Sequence, residues 1–186
     1  MPTVTLKPHP DSPASPAERI EVEVERRGEA ELTLAYRVFG DLSRLQLPEM
    51  SEEAAGRTEE LWKHTCFEAF LEAEGREGYL ELNFATSLQW ASYRFSGYRE
   101  GMSPASVQPE WMQSGLRDPL WLEVGIGVGR LARPDLPAPD WRIGLSAVIE
   151  DIDGNLSYWA LAHPPGKPDF HHPDSFALSL PPPEPA

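Results

Sequence analysis

Residues 20–38 set the strongest constraint on how this chain folds: Ile20, Val22 and Val24 alternate with glutamates, and after Arg27-Gly28 the alternation resumes at Leu32, Leu34, Tyr36 and Val38. Successive side chains in an extended strand point to opposite faces, so a period of two predicts a pair of half-buried strands joined as a hairpin. The same signature predicts strands over 65–72, 79–84, 90–95, 120–128, 141–150 and 156–161, with a last short one at 176–180. The linkers EGREG and ATSLQ are short enough for three of these strands to pair as an antiparallel meander. Twenty prolines and 14 glycines punctuate the chain, which leaves little room for long helices. Residues 43–63 read as a long surface connection with at most a short helix in SEEAAGRTEEL. Residues 97–119 read as a long irregular stretch carrying Met102, Trp111 and Met112.

Eight to ten short strands cannot bury an apolar face without a second layer, so the expected fold is all-β, a two-sheet antiparallel β-sandwich of jelly-roll type. With 186 residues, 40% of them hydrophobic, the chain forms one domain over 1–180, followed by a proline-rich, disordered tail at 181–186. Thirty acidic side chains face 16 basic ones, a formal net charge of -14, so a nucleic acid would meet repulsion before it met a contact. The lone Cys66 and an N-terminus without a basic segment followed by an apolar run point to the cytoplasm. No apolar run approaches the ~20 residues of a membrane-spanning helix, and no membrane partner is expected.

Splitting each strand by face gives core sets such as Phe67, Ala69, Leu71; Leu80, Leu82, Phe84; Ala91, Tyr93, Phe95; and Trp141, Ile143, Leu145, Ala147, Ile149. The opposite sets are Cys66, Glu68, Phe70; Tyr79, Glu81, Asn83; Trp90, Ser92, Arg94; Trp121, Glu123, Gly125, Gly127; and Arg142, Gly144, Ser146, Val148, Glu150. A merely wetted face would be rich in Lys, Glu and Thr. This one mixes tryptophans, isolated carboxylates, arginines and glycines, the furniture of a site for a small polar ligand.

The segments LWKHTCFEAFLE, YLELNFATSLQWASYRFSGYREGM, WRIGLSAVIE and SYWALAHPPGKPDFHH resemble bacterial DOMON-like proteins, the group related to carbohydrate-binding module family 9, in the same order and over about residues 61–180. The resemblance implies a non-catalytic module that clamps a sugar or sugar-derived metabolite between two tryptophans. Trp62 and Trp159 match those positions, Glu68 matches a hydroxyl-binding glutamate, and Asn83 falls where the next strand carries polar binding residues. Glu81 stands near a position where an arginine is usual, so the pattern of hydroxyls recognised differs from that of a plain glucoside. With Trp90, Arg94 and Arg142 from the polar face, these residues form the expected ligand-binding set.

Other constellations have plainer readings. HPPGKPDFHHPDSF gathers His163, His171 and His172 with Asp169 and Asp174, but without zinc-ligand spacing and with prolines between them; it reads as a rigid loop. DIDGN, at Asp151 to Asn155, alternates carboxylates as a calcium loop does but lacks the remaining ligands, so a hairpin turn is expected. No cofactor is predicted. Haem is the alternative, since Met102, Met112, His64 and Lys63 supply axial-ligand atoms of the kind some DOMON domains use; a protein-interaction sandwich is the other. Glu68 and Glu81 qualify by residue type as a glycosidase pair, yet no nucleophile signature accompanies them, and catalysis is not expected.

Overall fold

The computed structural model describes residues 2–50, 55–128 and 139–182. Its strands are β1 (Thr3–Pro8), β2 (Ala17–Arg27), β3 (Glu31–Gly40), β4 (Gly56–Arg57), β5 (Cys66–Ala73), β6 (Tyr79–Phe84), β7 (Gln89–Phe95), β8 (Ser103–Pro104), β9 (Pro109–Gly115), β10 (Leu120–Gly127), β11 (Trp141–Glu150), β12 (Leu156–Ala160) and β13 (Leu178–Leu180). Among the described residues the only helical elements are short 3-10 turns such as Leu42–Arg44, Leu61–Lys63 and Pro173–Ser175, and no helix is long and apolar enough to cross a membrane.

The fold is all-β, as the alternation predicts, but the strands are hydrogen-bonded as one curled sheet. Its order is β4-β7-β6-β5-β11-β12-β1-β2-β3-β10-β9, with β13 added beside β11 and β8 beside β7. The continuity comes from β1, an N-terminal strand that the sequence reading did not include. Its first half, Thr3 to Leu6, pairs with β2, and its second half, Lys7 and Pro8, pairs with β12. The sheet is also mixed, because β4 runs parallel to β7, pairing Gly56 with Gln89 and Arg57 with Trp90. This strand and the turn at Leu61–Lys63 occupy the described part of the stretch where a short helix was allowed; residues 51–54 lie outside the described residues. The 97–119 stretch is likewise more regular than expected, since β9 pairs with β10 along its length. Of the tail, residues 183–186 lie outside the described residues.

Curling brings the two halves of the sheet face to face over one core. Val22, Leu34, Tyr36 and Leu122 from one half meet Phe67, Leu82, Ile143 and Leu145 from the other, all 0–1% exposed. Each such side chain contributes roughly 1.5–3 kcal/mol by leaving water. Tyr36 is fully buried and reaches across the core; its ring lies 5.1 Å from that of Phe67, and its hydroxyl donates to the Glu68 carbonyl at 2.8 Å. A buried hydroxyl must find such a partner, and this one ties β3 to the strand that carries the candidate site.

One strand faces the other way from the expectation. In β7, Tyr93 stands opposite Glu81 and Ala91 opposite Asn83, so Ala91, Tyr93 and Phe95 share the outer face with the polar residues of β6. Trp90, opposite Phe84, packs against the main core instead. Period two shows that faces alternate; it does not show which face is inside when both carry aromatics.

Candidate functional site

The outer face of β7-β6-β5-β11-β12 presents Tyr93 and Phe95 from β7, Tyr79, Glu81 and Asn83 from β6, Cys66, Glu68 and Phe70 from β5, Ser146 and Val148 from β11, and Tyr158 from β12. Two loops close over it. The turn at 97–101 holds Arg99 and Gly101 in left-handed backbone conformations, with φ of 55° and 64°. Residues 163–172, leaving β12, cross back above the sheet. Asp169 joins the two loops. Its carboxylate accepts from the Arg99 guanidinium at 2.7 Å, from the Tyr98 hydroxyl, and from the backbone N–H of His171 at 3.1 Å. Its carbonyl accepts from Ser175 Oγ at 2.9 Å.

Between the loops and the sheet lies a cavity of about 410 Å³. Glu68 and Glu81 lie on its floor, and Trp62, Phe95, Tyr158 and Phe170 are its aromatic lining, with Arg99, Met102 and His171 around it. Trp62 sits in the 3-10 turn Leu61–Lys63 and meets Tyr93 of β7 edge-on, ring centroids 5.6 Å apart. Phe170 meets Tyr158 of β12 at 6.2 Å. The aromatic groups therefore approach from opposite flanks of the carboxyl floor.

The two glutamates are 3% and 4% exposed, a burial unusual for an acid without a cation on it. Glu81 Oε1 accepts from the Asn83 amide at 2.7 Å. Glu68 Oε2 accepts only a long contact from Ser146 Oγ, 3.4 Å. Burial holds the Glu68 carboxyl well above its ordinary value, the neighbouring Glu81 charge pushes it further, and Ser146 opposes weakly. Glu81 is raised as well, by burial, against the Asn83 hydrogen bond and the Arg99 charge.

His171 completes the floor. Its ring packs edge-on against Phe70 and Phe95, at 5.0 Å from each. Burial, and secondarily Arg99, pushes its pKa down to about 4, so the imidazole is neutral at neutral pH. The backbone N–H of Arg99 donates to the Tyr79 hydroxyl at 3.2 Å, and that hydroxyl lies 2.8 Å from His171 Nδ1. The other ring nitrogen, Nε2, lies 3.7 Å from Glu81 Oε2.

Of the expected ligand-binding residues, Trp62, Glu68 and Glu81 line the cavity, and Asn83 stands behind Glu81. The others are elsewhere. Trp159 belongs to the core face: it is 3% exposed, packs in the main core, and donates from Nε1 to Ser157 Oγ at 3.2 Å. Its neighbour Tyr158 takes the cavity side, because β12 pairs Val148 with Tyr158 and Ala147 with Trp159. Trp90 lies on the core side beneath Arg57, whose guanidinium is 5.5 Å from its ring, and Arg94 is exposed on the same side. Arg142 is exposed at the far end of β11, bonded to Glu72 and to the Pro173 carbonyl.

Sequence reasoning missed Arg99, Tyr158, Phe170 and His171 as cavity residues. The last two lie in the proline-rich segment that reads simply as a rigid loop, and their signal was the mixture of aromatic and imidazole groups inside it. Among the described residues no group of three His, Cys, Asp or Glu is placed to hold a metal ion. In DIDGN, Asp151 Oδ1 accepts from the backbone N–H groups of Asp153 and Asn155, both at 2.9 Å, which forms the hairpin turn between β11 and β12. The four candidate haem ligands do not converge: Met102 lines the cavity, Met112 packs against the main core, Lys63 pairs with Glu60 and His64 with Glu150.

No family model matches this chain, and no curated protein sequence matches it. Among solved structures it is similar to a candidate carbohydrate-binding protein from Bacteroides uniformis, with a TM-score of 0.63 and 14% identity over 93% of this chain and 83% of that one. The two share a fold. A carbohydrate-binding module of family 9 from Caldicellulosiruptor kristjanssonii, in complex with glucose, aligns with a TM-score of 0.43 and 11% identity over 80% of this chain and 69% of that one.

Proposed function

We propose that this chain is a non-catalytic binding module for a sugar or sugar-derived metabolite, and that the cavity over β5, β6 and β11 is its site. The observation that carries the reading is the combination of an aromatic lining with a buried carboxyl floor in a space of about 410 Å³. Aromatic rings suit the C–H faces of a pyranose, and carboxyl and amide groups suit its hydroxyls; a few convergent polar groups in an otherwise apolar pocket are what orient a small ligand. The fold shared with a candidate carbohydrate-binding protein supports the reading, as does the DOMON-like and family 9 pattern in the sequence. With Trp159 in the core, the second aromatic wall falls to Tyr158 and Phe170.

No nucleophile signature accompanies the two carboxyls, so binding rather than hydrolysis is the reading taken. Glycoside hydrolysis needs two carboxyls flanking one bond. Glu68 pairs with Asn83, and Phe70 with Glu81, so the two glutamates are diagonal neighbours on adjacent strands and address a ligand from the same side. Titrating mono- and disaccharides while recording tryptophan emission tests the reading, because Trp62 lines the site. A saturable change is expected with at least one saccharide; an unchanged emission at millimolar concentrations of all of them overturns the sugar reading.

A further inference from the structure

We propose that the ligand carries a protonated amine, so that the module selects an aminated sugar over its neutral or phosphorylated counterpart, with the ammonium seated on Glu68 beside Glu81. This rests on the sugar-binding reading and names the class of sugar.

Among the described residues few charged or titratable groups surround the floor. Glu68 and Glu81 come from β5 and β6. The strap at 163–172 contributes His171 and Asp169, the turn at 97–101 contributes Arg99, and β6 contributes Tyr79. Arg99 is turned onto Asp169 at 2.7 Å, so its charge is already matched. The Nδ1 of His171 is taken up by Tyr79, and only Nε2 faces Glu81, at 3.7 Å. Asn83 occupies one Glu81 oxygen. Among the described residues Glu68 has no cation, and its one side-chain hydrogen bond is the 3.4 Å contact from Ser146.

A carboxylate buried to this extent without a cation or several donors is costly, and burial together with the neighbouring Glu81 charge raises the pKa of Glu68 accordingly. An ammonium supplies what the protein leaves out: a positive charge and three N–H donors directed at oxygens that have few partners. Trp62 and Tyr158 in the lining add aromatic rings, the side chains to which cations are attracted. A phosphate or a uronic carboxylate gains no ion pair on this floor, because the Arg99 guanidinium beside it is already paired with Asp169. An ammonium stabilises the ionised form of Glu68 against the burial that raises its pKa, so its binding favours proton release from that carboxyl.

Isothermal titration at neutral pH tests this with glucose, glucose 6-phosphate and hexoses bearing an amine at carbon 2, 3 or 6, each in two buffers of different ionisation enthalpy. At least one amino sugar is expected to bind about tenfold or more tighter than glucose, with proton release, as a charge-assisted hydrogen bond in a buried site implies. Glu68→Gln, nearly isosteric and checked by thermal melting, is expected to bring that amino sugar close to the affinity of glucose. If glucose binds and no amino sugar exceeds it, the amine assignment fails while the sugar reading stands. If cyclohexylamine binds as tightly as the amino sugars and glucose not at all, the cation site stands and the sugar reading fails. If none of these compounds binds, both fall.

Discussion

On the outer face of β9 and β10, Trp121 stands opposite Gly115 and Trp111 opposite Gly125, and each indole lies so close over its glycine that an added Cβ would overlap it. On the outer face of β5, β6 and β11, the residues opposite one another are Glu68 and Asn83, and Ser146 and Glu68, while the aromatics arrive from the flanks and from a loop. Both faces draw on tryptophan and glutamate side chains. In the first, a large residue and an absent one are in cross-strand register, so each indole fills the space its glycine leaves. In the second, short polar side chains form a floor that no neighbouring ring covers, and the space above it stays open. Composition of a sheet face therefore says little about a binding site until the register of the large and small residues is known.

The largest effect is expected where a tryptophan belongs to neither outer face. Trp159→Ala should cost about 3–5 kcal/mol in urea unfolding, the range for emptying an aromatic site in a core. A stable variant with impaired sugar binding would return Trp159 to the ligand site. Trp62→Ala should do the reverse, weakening saccharide binding by about 1–3 kcal/mol, the size of stacking losses at aromatic platforms, while the melting temperature changes little.

Glu68→Gln probes the open floor in the absence of ligand. Burial raises the folded-state pKa of Glu68 above its ordinary 4.5, so the folded chain keeps protons that the unfolded chain has lost. Its contribution to stability is therefore fully present below about pH 4.5 and is lost as pH rises through the folded value. The glutamine variant should melt higher than the parent at neutral pH, by about 2–4 °C for each kcal/mol recovered, and the gap should close as pH falls towards 4.5. Equal melting curves across that range would mean that Glu68 is solvated and the floor is not a dry one. The smallest effect belongs to the filled face: Gly125→Ala should push the half-exposed Trp111 indole aside, alter its emission, and change stability by about 1 kcal/mol or less, with saccharide binding unchanged.

Much of this was written in residue order alone. Strict alternation in 20–38, 65–72, 79–84 and 141–150 determined an all-β chain, and in β5, β6 and β11 it also assigned the faces, because only one side of each strand is fully apolar. That is why Glu68 and Glu81 were legible as partners. In β7 and β12 both sides carry aromatics, so the pattern was equally compatible with Trp90 and Trp159 outside or inside. Packing decided it, by setting Phe84 opposite Trp90 and Ala147 opposite Trp159. Tertiary structure also decided the continuity of the sheet, since β1 had to find both β2 and β12, and the roof of the cavity, since Asp169 meets Arg99 across 70 residues of chain. Local periodicity reports how a segment divides water from core; which segments then meet is a property of the whole chain's packing, and the cavity exists only where they do.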